Sequence, residues 1–181
     1  MARPRTRDRE RLLDAAESVV TAGRIAALSF GSVAAASGVP KASVQSAFGT
    51  REGMIDAMLA RWLEREKQRF DRAAGARPTA QKRTRAHIQT TEHDDDGSRM
   101  ATLLAALAGS GEQSASTAAW YAARIGNLSA RTSEQRRLRI AFLAAEGAFY
   151  IRHLVGFQIS EALWHDIFSD LHALIDDGLE E

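Results

Sequence analysis

The sequence predicts an all-α protein of about nine helices, and three observations carry that expectation. Apolar residues recur at spacings of three and four along most of the chain. Proline stands only at Pro4, Pro40 and Pro78, so long helices run uninterrupted between them. Alternating β-branched runs, the mark of half-buried strands, are scarce. With 45% hydrophobic residues among 181, the chain has ample material for a core.

In the first helix, about 7–22, Leu12, Leu13, Ala16, Val19 and Val20 share a face, and Gly23 stops the run. After the loop GRIAAL, Ser29 caps a short second helix through Ser37 with Phe30, Val33 and Ala34 facing inward, and Gly38 ends it. Val39 and Pro40 open a third helix ending near Phe48, with the proline tolerated in a first turn because its missing N–H would have had no partner there. Thr50 caps a long fourth helix to about Ala74, striped by Met54, Ile55, Met58, Leu59, Trp62 and Leu63. The segment AAGARPTA then reads as a boundary. Further helices are expected near 79–92, 97–108, 115–128, 133–156 and 160–176. Thr132 with Gln135 fits a capping box, and Ser160 with Glu161 puts a cap and an acid at a positive helix end. The domains read as 1–50, an N-terminal helix-turn-helix domain of three helices; 51–76, a connecting helix; and 77–181, a helical domain for dimerisation and ligand binding.

Several function classes are excluded early. The chain has no cysteine, which removes disulfides, thiolate metal sites and cysteine nucleophiles and agrees with a reducing compartment. No signal-peptide run and no stretch of 18 apolar residues occurs, so a cytoplasmic protein without membrane contact is expected. Neither G-x-S-x-G, H-E-x-x-H nor a phosphate-binding glycine loop is present, so no enzyme and no cofactor is expected. His87 and His93 beside Asp94, Asp95 and Asp96 invite a metal site. The consecutive acids read instead as a solvated loop in which Asp96 caps the next helix. His153, His165 and His172 read as exposed or satisfied in the core.

Charge is uneven. Residues 1–53 carry eight Lys/Arg against five Asp/Glu, a net +3, whereas residues 54–181 carry sixteen against eighteen, a net −2. At the front Arg3, Arg5, Arg7, Arg9 and Arg11 alternate, a basic arm able to neutralise phosphates and release counterions. Two short helices around a glycine turn are the sequence image of a helix-turn-helix. At 100° per residue, Val44, Ala47 and Phe48 fall on one side of the third helix and Lys41, Ala42, Gln45 and Ser46 on the other. The lack of bulk on that outer side suits a major groove about 12 Å wide. Ala42 permits close approach, Gln45 suits an adenine edge, and Lys41 a guanine or phosphate. Ser43 flanks them, Ser46 extends the face, and Ser29, Thr50 and Arg51 stand at helix starts suited to phosphate.

Residues 7–63 resemble the N-terminal DNA-binding domain of TetR/AcrR-type transcriptional regulators. The resemblance rests on RERLLDAAESVV and on LSFGSVAAASGVPKASVQSAFGTREGM, where Gly38, Val39, Lys41, Ser43, Val44, Phe48, Thr50, Arg51 and Glu52 keep the family's spacing. Gln45 stands where the family usually has a phosphate-contacting tyrosine, Ala47 where it often has histidine or tyrosine, and Ala42 where it usually has glycine. The tyrosine's loss weakens phosphate anchoring, so either Gln45 has become a base reader or the arginine arm, Arg5 and Arg7 included, compensates.

One short recognition helix touches too few bases for tight binding, so a symmetric pair on a pseudo-palindromic double-stranded DNA operator is expected. In RLRIAFLAAEGAFYIRHLVGFQ and ISEALWHDIFSDLHALI, apolar residues cover more than one face. The small residues Ala141, Ala144, Ala145, Gly147 and Ala148 mark the first, and Leu163, Ile167, Leu171 and Leu174 stripe the second. The resemblance implies a homodimer through these last two long helices, a ligand-responsive repressor, and a small-molecule effector among the middle helices. Leu104, Leu107, Trp120, Tyr121, Phe142, Glu146, Phe149, Tyr150 and His153 are the candidate lining, an apolar set with a few polar groups. The alternative is a helical ligand sensor or protein-binding adaptor that no longer binds DNA.

Overall fold

The computed structural model describes residues 3–23, 25–94, 97–109, 115–125 and 128–176. The helices are α1 (Arg3–Gly23), α2 (Phe30–Ser37), α3 (Lys41–Phe48), α4 (Arg51–Ala74), α5 (Ala80–Glu92), α6 (Gly97–Gly109), α7 (Ala115–Ile125), α8 (Ser133–Tyr150) and α9 (Glu161–Asp176). A 3-10 turn, Ile25–Ala27, precedes α2, and a π turn, Ile151–Val155, continues α8. No strand occurs among the described residues. The chain forms two compact units, one comprising residues up to 62 with 102–116, the other residues 63–101 and 117 onward.

In the first unit Leu12, Leu13, Ala16, Val20, Leu28, Val33, Val44, Phe48, Met54, Ile55, Met58 and Leu59 are buried. Three acids of α1 converge on α4: Arg61 Nη2 lies 2.6 Å from Asp14 Oδ1, and its Nε 3.6 Å from Glu10 Oε2 and 3.8 Å from Glu17 Oε1. α2 opens with a reciprocal cap: the Ser29 hydroxyl accepts the Ser32 N–H at 3.1 Å, and the Ser32 hydroxyl accepts the Ser29 N–H at 3.0 Å. Gly38 ends α2 at φ +69°, a left-handed position that glycine takes without a Cβ penalty. Thr50 caps α4 by accepting the Gly53 N–H at 2.9 Å. A Cβ added to Gly53 would stand 2.4 Å from the Phe48 carbonyl oxygen, so this first turn of α4 closes on α3 only as glycine.

In the second unit α5, α8 and α9 enclose Ile88, Leu138, Ala141, Ala145, Ala148, Trp164, Phe168, Leu171 and Ile175. Thr79 caps α5 by accepting the Lys82 N–H at 3.2 Å, Thr132 and Gln135 form the capping box of α8, and Ser160 caps α9. The side of α8 roughly opposite its buried residues is open to solvent. Ile140, Leu143, Ala144, Ile151 and Leu154 are exposed there in one row, and Leu163 of α9 is exposed as well.

Four boundaries differ from the sequence reading. α1 begins at Arg3, four residues early, because Pro4 sits in a first turn. Pro40 is the cap of α3 and not inside it: at φ −55° and ψ 139° it is extended, while its carbonyl accepts from Ser43 and Val44. α7 ends at Ile125. α8 stops being α-helical at Tyr150 and widens into the π turn, where the Phe157 N–H reaches the Ile151 carbonyl at 3.0 Å and Gly156 turns the chain at φ +75°.

Candidate nucleic-acid interface and buried aromatic cluster

On α3, Val44 and Phe48 are buried and Ala47 is half-buried, whereas Lys41, Ala42, Ser43, Gln45 and Ser46 are exposed. Two turns of helix thus divide into an anchoring side and a presented side. Beside the presented side lies an open groove of about 920 Å³ lined by Asp8, Arg9, Arg11, Leu12, Val39, Ala42, Ser43, Ser46 and Ala47. The segment read as an arm is the start of α1. Its Arg11 donates to the Ser37 carbonyl at 2.8 Å, and Arg9 lies 5.4 Å from the centroid of Phe48. The side chains of Arg5 and Arg7 lie outside the described residues. Ser29 and Thr50 are exposed, with their hydroxyls engaged in the caps. Arg51 turns inward, donating to Leu28 O at 3.0 Å and Ile25 O at 2.8 Å, so that it fixes the turn before α2.

The aromatic candidates meet in the second unit around two residues the candidate lining left out, His87 and Arg124. His87 is buried and stacks on Phe142, ring centroids 4.2 Å apart. Its Nε2 lies 2.9 Å from Glu146 Oε1, a contact too bent for a hydrogen bond and therefore mainly electrostatic. Glu146 Oε2 accepts a short hydrogen bond from the Tyr121 hydroxyl, which lies 3.3 Å from that of Tyr150. Trp120 meets Tyr121 edge to face at 4.8 Å. Phe149 lies 5.6 Å from Tyr150 and 4.9 Å from His153, whose Nδ1 is 2.9 Å from Ser98 Oγ. Of the remaining candidates, Leu104 is half-buried on the part of α6 that belongs to the first unit, and the Leu107 side chain lies outside the described residues.

Arg124 is buried with its guanidinium carbon 4.3 Å from the Phe70 centroid and 3.9 Å from that of Trp120. It donates to Glu66 O at 3.1 Å and to Thr90 Oγ1 at 3.4 Å, and lies 3.7 Å from Glu66 Oε2. Its Nη1 is 3.5 Å from His87 Nδ1. Arginine only donates, so Nδ1 faces it as the acceptor and the imidazole proton sits on Nε2, toward Glu146. Burial drives Arg124 down to about 10, against the pull of Glu66 and Glu146. Burial likewise raises Glu66, with Arg69 as the main opposing influence.

The loop acids are not all solvated as expected. Asp94 is buried and accepts from Arg69 Nη2 at 3.0 Å, because Arg69 also binds Glu66 and gathers both acids. Asp95 and Asp96, with the cap expected of Asp96, lie outside the described residues. His165 is exposed and His172 half-buried. No group of three acidic or histidine side chains suited to a metal ion occurs among the described residues.

Burial holds His87 below its ordinary 6.5, with Arg124 adding to the effect and Glu146 opposing it. Burial lowers His153 and His172 too. The unfolded chain therefore takes up protons that the folded chain refuses. Stability is fully present above pH 6.5 and falls as pH drops below it, by at most about 1.4 kcal/mol per pH unit for the deeply buried His87. Urea unfolding at stepped pH is expected to show this loss, with a shallower slope in His87→Gln. An unchanged slope would mean that His87 is charged in the fold.

A family described as "Tetracyclin repressor-like, C-terminal domain" matches residues 81–176. Among solved structures, the multidrug binding protein EbrR complexed with imidazole aligns with a TM-score of 0.65 at 23% identity, over 90% of this chain and 93% of that one. A transcriptional regulator from Rhodococcus sp. Rha1 aligns with 0.66 at 20% identity, over 94% and 96%. A TetR-family transcriptional regulator from Streptomyces coelicolor aligns with 0.55 at 21% identity, over 94% and 99%. No curated protein matches the chain in sequence. At these identities the structural likeness is one of fold. The matched family spans more than half of the chain, from α5 to the end of α9, and with the helix-turn-helix ahead of it this chain belongs to the TetR family of transcriptional regulators.

Proposed function

We propose that the protein is a homodimeric, ligand-responsive repressor that reads a pseudo-palindromic operator with α3. The observation that carries this reading is the division of α3, with Val44 and Phe48 anchored inside and Lys41, Ala42, Ser43, Gln45 and Ser46 outside. A thin outer side lets the helix backbone sit deep in the major groove. Ala42 gives close approach, Gln45 pairs with an adenine edge, and Lys41 and Ser43 hold a guanine or phosphates. The basic start of α1, including Arg5 and Arg7, supplies charge in place of the missing tyrosine. Arg51 is assigned a supporting role, since its guanidinium already holds two carbonyls.

The effector site is the cluster around Glu146. A carboxylate bonded to Tyr121, itself ringed by Trp120, Phe142 and Tyr150, favours a flat organic cation or weak base, stacked on rings and paired with the acid. The relative crystallised with imidazole agrees with that chemistry. A ligand claiming Glu146 takes the partner of His87 Nε2, and His87 abuts Arg124, which grips the Glu66 carbonyl on α4. Helix α4 begins at Arg51, directly after α3, so its displacement is the route by which occupancy reaches the reading helix.

Fragments selected from random DNA should contain two half-sites, and Gln45→Ala should relax preference at one position in each by about 1–3 kcal/mol. Removing residues 1–7 should weaken binding to all sequences alike and flatten its salt dependence. Absence of any mobility shift across such a library would favour the sensor that does not bind DNA.

A further inference from the structure

Apart from the cluster around Glu146, the second unit contains a small polar pocket of about 150 Å³. It is lined by Arg83, Thr84, Arg124, Ser129, Gln135 and Arg139, with Ala80, Ile125 and Leu138 as its apolar parts. We propose that this pocket is a binding site for a small oxyanion, a phosphate, sulfate or carboxylate group.

The argument starts from charge. Three arginines line the pocket and no acidic side chain does. Arg124 has Glu66 as its partner, but Arg83 and Arg139 have no carboxylate partner among the described residues. Each is anchored by one nitrogen to a carbonyl, Arg83 Nη1 to Pro78 O at 3.0 Å and Arg139 Nη1 to Leu128 O at 3.1 Å. Anchoring fixes the guanidinium plane and leaves its other donors for a ligand, the arrangement that suits forked binding of an oxyanion. Both side chains are half-buried, so the field they set up is less screened than that of surface lysines.

The backbone adds to this. Ala80 is the first residue of α5 and Gln135 the third of α8, so two positive helix ends border the same space. The negative end of α7 borders it as well, and the charge of Arg124 there is already matched by Glu66, so the free positive charge comes from Arg83 and Arg139. Size sets the ligand class. At roughly 30 Å³ for each water, the pocket holds about five waters, enough for one oxyanion group and too little for a nucleotide. The site shares only Arg124 with the effector cluster and does not depend on the effector reading.

The test is calorimetric titration of the full-length protein with inorganic phosphate, with sulfate and acetate in parallel, at ionic strength held constant with sodium chloride. Saturable binding of one anion per chain is expected, at least tenfold weaker in Arg83→Gln/Arg139→Gln and unchanged in Lys67→Gln, an exposed lysine of α4 away from the pocket lining. Acetate binding as tightly as phosphate assigns a carboxylate ligand, and preference for phosphate or sulfate assigns a tetrahedral one. Arg139→Lys, which keeps the charge and loses the fork, should bind several-fold more weakly and serves where the double variant fails to fold. Heats that do not saturate, equal affinity in the arginine variants, or binding lost in Lys67→Gln would each overturn the proposal.

Discussion

Leu143→Glu combined with Ile151→Glu is expected to give a folded monomer whose affinity for operator DNA is at least about a hundredfold lower. Both side chains belong to the exposed row that runs from Ile140 and Ala144 of α8 to Ile151 and Leu154 of the π turn, with Leu163 of α9 exposed as well. Exposed apolar rows of that extent mark surfaces that meet a partner. Two carboxylates on each copy would bring four like charges into one symmetric contact, and like charges in a desolvated seam are strongly repelled. The opposite side of α8, holding Leu138, Ala141, Phe142, Ala145, Ala148 and Phe149, is left untouched, so the monomer should keep its helix content. Sedimentation would report the mass, and mobility shift the affinity. A variant that stays dimeric would move the subunit contact elsewhere.

The second large effect is on stability. Arg124→Ala should lower the unfolding free energy by about 3–5 kcal/mol, because it removes a buried cation from its acid and leaves a void between two rings. Glu66 would keep Arg69 but lose one of its two cations, and Phe70 and Trp120 would lose the plane that fills the space between them. Arg124→Met, which restores much of the volume without the charge, should fall between the two. Urea denaturation gives the comparison, and a loss under 1 kcal/mol would show that water compensates Glu66.

Helix starts were legible because capping chemistry is local. Ser29, Thr50, Thr132 and Ser160 each bond the amide three residues on, so the spacing is written in the chain. The two sides of α3 were legible for a similar reason, since helical periodicity alone separates Val44 and Phe48 from Ala42 and Gln45. The π turn was not, because no proline or glycine interrupts IRHLV and the widening ends only at Gly156. Nor was the role of His87, Asp94 and Arg124. Burial of a polar side chain depends on partners distant in sequence, here Glu146 for His87, Arg69 for Asp94 and Glu66 for Arg124. The trace that remained was an arginine within the otherwise apolar AAWYAARI, where a cation on an inward helix face calls for an acid elsewhere.

The tight closure at Gly53 bears on how such a protein diversifies. With the Phe48 carbonyl only 2.4 Å from where a side chain would begin, the joint between α3 and α4 admits almost no variation. The outward residues of α3 carry no such restriction. Under the proposed reading of DNA by α3, new target sequences are therefore reachable by exchanging a handful of surface side chains on an unaltered mount, and descendants of this chain would part company in what they regulate long before they differ in how they are built.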